Sequence, residues 1–139
     1  MRIIVDTNKI IAALIRDSIS RKILLSDKFE FLTVGITKSE IEEHKEELLE
    51  KTNLTEEQLK LIFSLLFSRI FVVTDAIIEN KMREAREIMD RIDPADTPFI
   101  ALALSVENDG IWSDDDHFDR QNKIKIWRTN ELIKILNKI

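Results

Sequence analysis

The first eight residues constrain the chain more than any later segment. Arg2-Ile3-Ile4-Val5 is a short β-branched run that ends abruptly in Asp6-Thr7-Asn8, and helix-forming residues follow at once. An apolar run of that length reads as a buried strand. A strand that turns directly into a helix is the opening of a parallel α/β unit. Asp6 then stands at the carboxyl end of the strand, where open α/β sheets bind ligands. Three later acidic groups also fall at ends of predicted elements: Glu40, the pair Asp93 and Asp96, and the run Asp114-Asp115-Asp116. Carboxylates gathered around Asp6 without basic partners repel one another, so such a site makes sense as a cage for a hard cation.

Downstream, apolar runs and helical periodicities alternate. Thr7 or Asn8 is expected to cap a helix carrying Ile10, Ile11, Leu14 and Ile15, interrupted at Asp17 and Ser18. A short helix over 20–25 precedes a second strand over 29–34. Thr37-Lys38-Ser39-Glu40 has the form of a capping box opening a helix that runs on to Asn53. Thr55 opens another helix as far as Phe67, and 70–73 is the third strand. Asp75 is expected to cap one long helix over 76–91, buried along Ile77, Ile78, Met82, Ala85, Ile88 and Met89. Asp93 to Asp96 is a turn, and Thr97-Pro98 opens an apolar helix over 99–106. Strands over 111–113 and 123–127 and a helix over 130–136 complete the pattern. The expected fold is a three-layer α/β/α sandwich around a parallel sheet of about five strands. The 139 residues suit one domain, 1–139.

Composition removes several function classes. There is no cysteine, which excludes disulfides and thiolate metal sites and makes a reducing cytoplasm the expected compartment. No secretion signal or bilayer-spanning apolar run is evident, so no membrane association is expected. The net charge of −5 has the wrong sign for a nucleic-acid binder, unless bound metal offsets acids concentrated in one site. Seven Phe and two Trp read mostly as core, and no base-stacking platform stands out. No Gly-rich phosphate loop, dinucleotide fingerprint or Ser-His-Asp grouping occurs.

Each acid also has a plain structural use. Asp6 and Asp96 could be helix caps, Glu40 reads equally as a capping-box partner or a site acid, and an acidic run is most often solvated loop. A carboxylate at a helix N-terminus is kept ionised by the helix dipole, so capping and metal binding are compatible at Asp96. His44 and His117 form no zinc pattern and read as surface histidines.

In order, the chain carries Asp-Thr-Asn after the first strand, Ser-Glu-Ile in a mid-chain helix, Asp-Thr-Pro-Phe-Ile-Ala-Leu-Ala, and Trp-Ser-Asp-Asp-Asp-His-Phe. This order resembles the PIN domain family, small metal-dependent ribonucleases that include VapC-type toxins. The resemblance covers essentially the whole chain and implies a PIN-like fold. Matched residue by residue, Asp6, Glu40 and Asp96 take the places of three principal acids. Ser113, Asp115 and Phe118 match the fourth motif, with Asp114 and Asp116 on either side as rival candidates for its acid. Asn8 and Ser113 match supporting polar residues, and Asp93 is an extra acid near the third motif.

The resemblance implies an endoribonuclease in which Asp6, Asp96 and Asp115 hold Mg²⁺ or Mn²⁺, one ion or two, with Glu40 completing the catalytic acids. Such an ion lowers the pKa of a water and offsets charge on the transferring phosphoryl group. Lys9, Arg16, Arg21 and Lys22, and then Lys123, Lys125 and Arg128, are the candidate grips on RNA phosphates. A role as the toxin of a toxin–antitoxin pair belongs to the family, with an antitoxin as protein partner. A non-catalytic RNA-binding or scaffold protein of the same fold is the alternative. A phospho-acceptor receiver domain fits less well, because the first strand ends in a single Asp. The helix bearing Leu59, Leu61, Ile62, Phe63, Leu65, Leu66 and Phe67 has more than one apolar stripe, which predicts a homodimer or tight complex.

Overall fold

The computed structural model describes residues 1–15 and 18–138; the predicted break at Asp17 and the candidate Arg16 lie outside them. The chain begins in the middle of its sheet. Strand β1 (Arg2–Val5) leads into α1 (Thr7–Ile15) and α2 (Ile19–Leu24), then β2 (Glu30–Val34). Helices α3 (Ile36–Glu43), α4 (Lys45–Thr52) and α5 (Glu56–Phe67) follow, before β3 (Ile70–Val73). Next come α6 (Asp75–Ile78), α7 (Met82–Met89) and α8 (Thr97–Ser105). Strands β4 (Ile111–Trp112) and β5 (Ile126–Trp127) and helix α9 (Thr129–Leu136) complete the described chain. The sheet runs β3-β2-β1-β4-β5 and every pairing is parallel. From β1 the chain moves outward to β3, then returns to the other side of β1. The strand order therefore reverses between β1 and β4, and their carboxyl ends frame a crevice there.

Side-chain alternation along the strands builds two cores. Ile3, Val5, Phe31 and Trp112 face Ile10, Leu14, Leu24, Ile41, Leu59 and Leu132 of one helical layer. Ile4, Leu32, Val34 and Ile111 face Ile78, Ala85, Met89 and the buried face of α8 in the other. The architecture is the expected α/β/α sandwich. No described helix is long and apolar enough to cross a membrane.

Several local expectations are corrected. The cap of α1 is neither Thr7 nor Asn8: the Lys9 N–H donates to Asp6 Oδ1 at 3.0 Å, so the strand-end aspartate does the capping. Thr37 and Glu40 form no capping box. The helix starts earlier, at Ile36 after Gly35, which leaves Thr37 inside its first turn and fully buried. His44 (φ −95°, ψ 8°) divides the predicted long helix into α3 and α4. The helix foreseen over 76–91 is interrupted by a 3₁₀ turn at Glu79–Lys81, and Ile77 is exposed rather than buried. Asp75 makes no capping bond there, Thr74 being the residue before the helix. Thr55 and Gln58 do form a reciprocal capping box at α5, and Asn53 ends α4 in the left-handed region at φ 55°.

Candidate active site

The site grows from three element ends. Asp6 follows β1 and is almost fully buried. Ser113, also buried, follows β4 and donates its hydroxyl to Asp6 Oδ2 at 2.5 Å. That hydroxyl accepts the Asp115 N–H at 3.0 Å, so one serine orients acids from two strands. Burial pushes the Asp6 carboxyl up to about 6, against the pull of the Ser113 and Lys9 hydrogen bonds. Asp96 closes the turn before α8, where Asp93 Oδ1 accepts the Ala95 N–H at 3.0 Å. Asp96 makes no capping bond with its side chain, and its Oδ2 is a buried atom with no hydrogen-bond partner. Burial, then the charges of Asp93, Asp115 and Asp6, push Asp96 up to about 7, with His117 opposing them. Acids from three parts of the chain thus lie within electrostatic reach of one another.

Glu40 stands at the edge of this group. A buried chain of hydroxyls leads to it: Thr33 donates to Val5 O at 2.9 Å and accepts from Thr37 at 3.1 Å. The Thr7 hydroxyl then reaches Thr37 Oγ1 at 3.3 Å and Glu40 Oε1 at 3.4 Å. Burial raises the Glu40 carboxyl and the Thr7 bond opposes it.

The acidic run divides into three environments. Asp114 accepts from Lys9 Nζ at 2.5 Å, from Thr129 N at 3.0 Å and from Thr129 Oγ1 at 2.5 Å. Burial alone would raise it, but those donors outweigh burial and hold it below the usual carboxylate range. Asp115 turns toward the site, its Oδ1 accepting the His117 N–H at 2.9 Å. The Asp116 side chain is almost fully exposed, 3.6 Å from Arg128.

The expected cluster without basic partners is not what forms. Lys9 is tied to Asp114, and His117, foreseen as a surface residue, enters the group. Its Nδ1 lies 3.1 Å from Asp93, 3.2 Å from Asp115 and 3.6 Å from Asp96. No carboxylate oxygen is aligned for a hydrogen bond with it, so Nδ1 stays an unpartnered buried atom inside a half-exposed ring. Sequence reading missed this residue; its place in the Asp-Asp-Asp-His-Phe loop was the one available signal. Among the cations foreseen on RNA, Arg21 bonds Ala13 O at 2.8 Å and Leu14 O at 3.4 Å, closing the end of α1. Arg128 bonds Asp119 and Ser113 O. Lys125 lies 4.7 Å over the Trp127 ring, and Lys22 and Lys123 are exposed. Asn8 is exposed and stands beside Ile11, His44 and Lys51 in a separate shallow cavity of about 190 Å³.

The donor set suits a divalent ion: it offers carboxylate oxygens and one imidazole nitrogen, and it leaves Asp96 Oδ2 and His117 Nδ1 buried without partners. A family model for the PIN domain matches residues 4–136. The chain belongs to the PIN domain family. Proteins of this family are in general metal-dependent nucleases, and the acidic cluster with its histidine fits that chemistry. No curated protein matches the chain.

Proposed function

We propose that residues 1–139 act as a single nuclease domain, an Mg²⁺- or Mn²⁺-dependent endoribonuclease in which Asp6, Asp96 and Asp115 hold the ion and Glu40 completes the catalytic acids. The observation that carries this reading is the convergence of Asp6, Asp115 and Asp96 from three element ends, two of them tied by Ser113 and the third with Oδ2 buried and without a hydrogen-bond partner. Burial first, and then the charges of Asp93, Asp115 and Asp6, disfavour an ionised Asp96, and a bound cation would offset both. A divalent ion bound there supplies a Lewis acid and lowers the pKa of a water. The residues of the chain do the positioning. Ser113 and the Lys9 N–H fix both oxygens of Asp6, the His117 N–H fixes Asp115, and Thr7 holds Glu40 at the edge. Asp93 supports the turn that carries Asp96, and Asp114 anchors the loop from outside. Among the described candidates, Lys22, Lys123 and Lys125 are exposed and could meet phosphates, while Lys9 and Arg21 are engaged within the protein.

The same proposal includes an intracellular RNA target, a toxin role with an antitoxin partner, and a homodimer formed through α5, whose Leu61 and Leu65 are exposed. The test incubates purified protein with single-stranded and structured RNA in Mg²⁺, in Mn²⁺ and in chelator, beside Asp6→Asn. Cleavage that needs the ion and is lost in the variant supports the reading. Cleavage undiminished in excess chelator overturns it.

A further inference from the structure

His117 supplies what an all-carboxylate cage does not, a nitrogen donor. One oxygen each of Asp93 and Asp96 and a ring nitrogen of His117 lie within 4.8 Å of one another. Two ligands about 2.1 Å from one small ion, at tetrahedral to octahedral angles, stand roughly 3.0–3.4 Å apart. From Nδ1, Asp93 at 3.1 Å and Asp115 at 3.2 Å fall in that range, and Asp96 at 3.6 Å lies just beyond it. A plain ion pair would align a ring N–H with one oxygen. Here no oxygen is so aligned, and both Nδ1 and Asp96 Oδ2 remain buried without partners. Convergence without hydrogen bonding is the arrangement of a ligand set. Asp115 Oδ1, which also accepts the His117 backbone N–H, lies beside the same ring nitrogen and joins this group to the Asp6–Ser113 pair.

We propose that Asp93, Asp96 and His117 form a cation position adjoining the Asp6 acids, with His117 Nδ1 as a direct ligand, and that this position selects a first-row transition ion over Mg²⁺. Imidazole suits Zn²⁺, Fe²⁺ and Ni²⁺, and the softer Mn²⁺ accepts a nitrogen beside its oxygen ligands more readily than Mg²⁺, which retains its waters. The inference extends the nuclease reading to the class of metal, and Asp96 is common to both positions.

The histidine count makes the test clean, because the chain has only His44 and His117. Apo protein is loaded with Mn²⁺, and electron spin-echo modulation from coordinated ¹⁴N is recorded for wild type, His44→Ala, His117→Ala, Asp93→Asn and Asp6→Asn. Nitrogen modulation is expected in wild type, His44→Ala and Asp6→Asn, and is expected to vanish in His117→Ala. Mn²⁺ and Mg²⁺ titrations accompany the spectra. His117→Ala and Asp93→Asn should each weaken Mn²⁺ binding at this position by about tenfold or more, with Mg²⁺ affinity changed much less. Asp93→Asn retains the oxygen that accepts the Ala95 N–H, so it guards against a folding effect in the other variant. Mn²⁺ bound without nitrogen coupling, or coupling that survives in His117→Ala, overturns this inference and leaves the nuclease reading standing. No Mn²⁺ binding in any form overturns both.

Discussion

Ser113 and Asp6 are 107 positions apart in the chain, yet the serine hydroxyl donates to the aspartate at 2.5 Å in a fully buried contact. The contact exists because β1 and β4 are paired in parallel, Val5 opposite Trp112, so the residues that follow them emerge side by side. Ser113→Ala removes a donor from Asp6 and an acceptor from the Asp115 N–H. The expected outcome is a loss of about 1–3 kcal/mol of stability by chemical denaturation and weaker Mn²⁺ binding. A variant as stable as wild type and equal in Mn²⁺ affinity would show that the hydroxyl does not organise the acids.

Asp114 and Asp115 should separate by phenotype. Asp114 is held by Lys9 and Thr129 at the start of α9, so Asp114→Asn should lower the melting temperature and leave metal affinity nearly intact. Asp115→Asn should reverse the pattern. Calorimetric titration of Mn²⁺ into both variants, with melts in chelator, distinguishes them. The greater loss of metal binding in Asp114→Asn would mean that the final motif is shifted by one residue.

Much of this arrangement is legible in the sequence, because it follows from where strands end. The run 2–5 and the acids after it, the turn before Thr97-Pro98, and Trp112-Ser113 all sit where apolar pattern gives way to polar residues. What stays hidden depends on partners distant in the chain. The Thr37 hydroxyl looks like a cap in isolation, but tertiary packing spends it on Thr33. Lys9 reads as a free cation until β1 and β4 align and bring Asp114 within 2.5 Å. His117 becomes a site residue only when the turn at Asp93 meets the loop after β4. The breaks at His44 and at Glu79–Lys81 have no glycine or proline to announce them.

Gly110 is the glycine whose conformation the fold requires. Its φ is +127°, and an added Cβ would lie 2.5 Å from the Lys125 carbonyl oxygen. Its own carbonyl accepts the Ile4 N–H at 2.9 Å, so it is locked between β1 and β5. Gly110→Ala is expected to cost roughly 2 kcal/mol or more, combining backbone strain with a backbone clash. A urea melt superimposable on wild type would contradict this.

Leu61 and Leu65 are 71% and 53% exposed on one side of α5, while Leu59 and Leu66 are buried on the other. If that side is a dimer contact, Leu61→Lys combined with Leu65→Glu should yield a monomer in sedimentation at micromolar concentration, with a melting temperature no higher than wild type. A wild-type protein that is already monomeric there would remove the dimer.

The acids should also write a pH signature into the metal-free fold. Asp6 rises from 3.8 to about 6 and Asp96 from 3.8 to about 7 on folding. Each therefore binds its proton more tightly in the folded state. Their contribution to stability is fully present below about pH 3.8 and is lost as pH rises through about 6 and about 7. For Asp6, nearly all buried, the loss amounts to roughly 3 kcal/mol at most. Other groups titrate over the same range, so the informative quantity is the difference between wild type and Asp96→Asn, both melted in chelator. At pH 4 the two side chains are both neutral and the melting temperatures should nearly coincide. Between pH 5 and pH 8 the variant should become progressively the more stable, because it is free of a charge that burial disfavours and that Asp93, Asp115 and Asp6 repel. No capping bond is lost to confuse the comparison, since Asp96 makes none. At pH 8, Mn²⁺ should then raise wild type more than the variant, because stabilisation by a ligand follows its affinity for the folded state. A variant that melts below wild type at pH 8 in chelator, and gains as much from Mn²⁺, would mean that these acids neither repel one another nor share an ion.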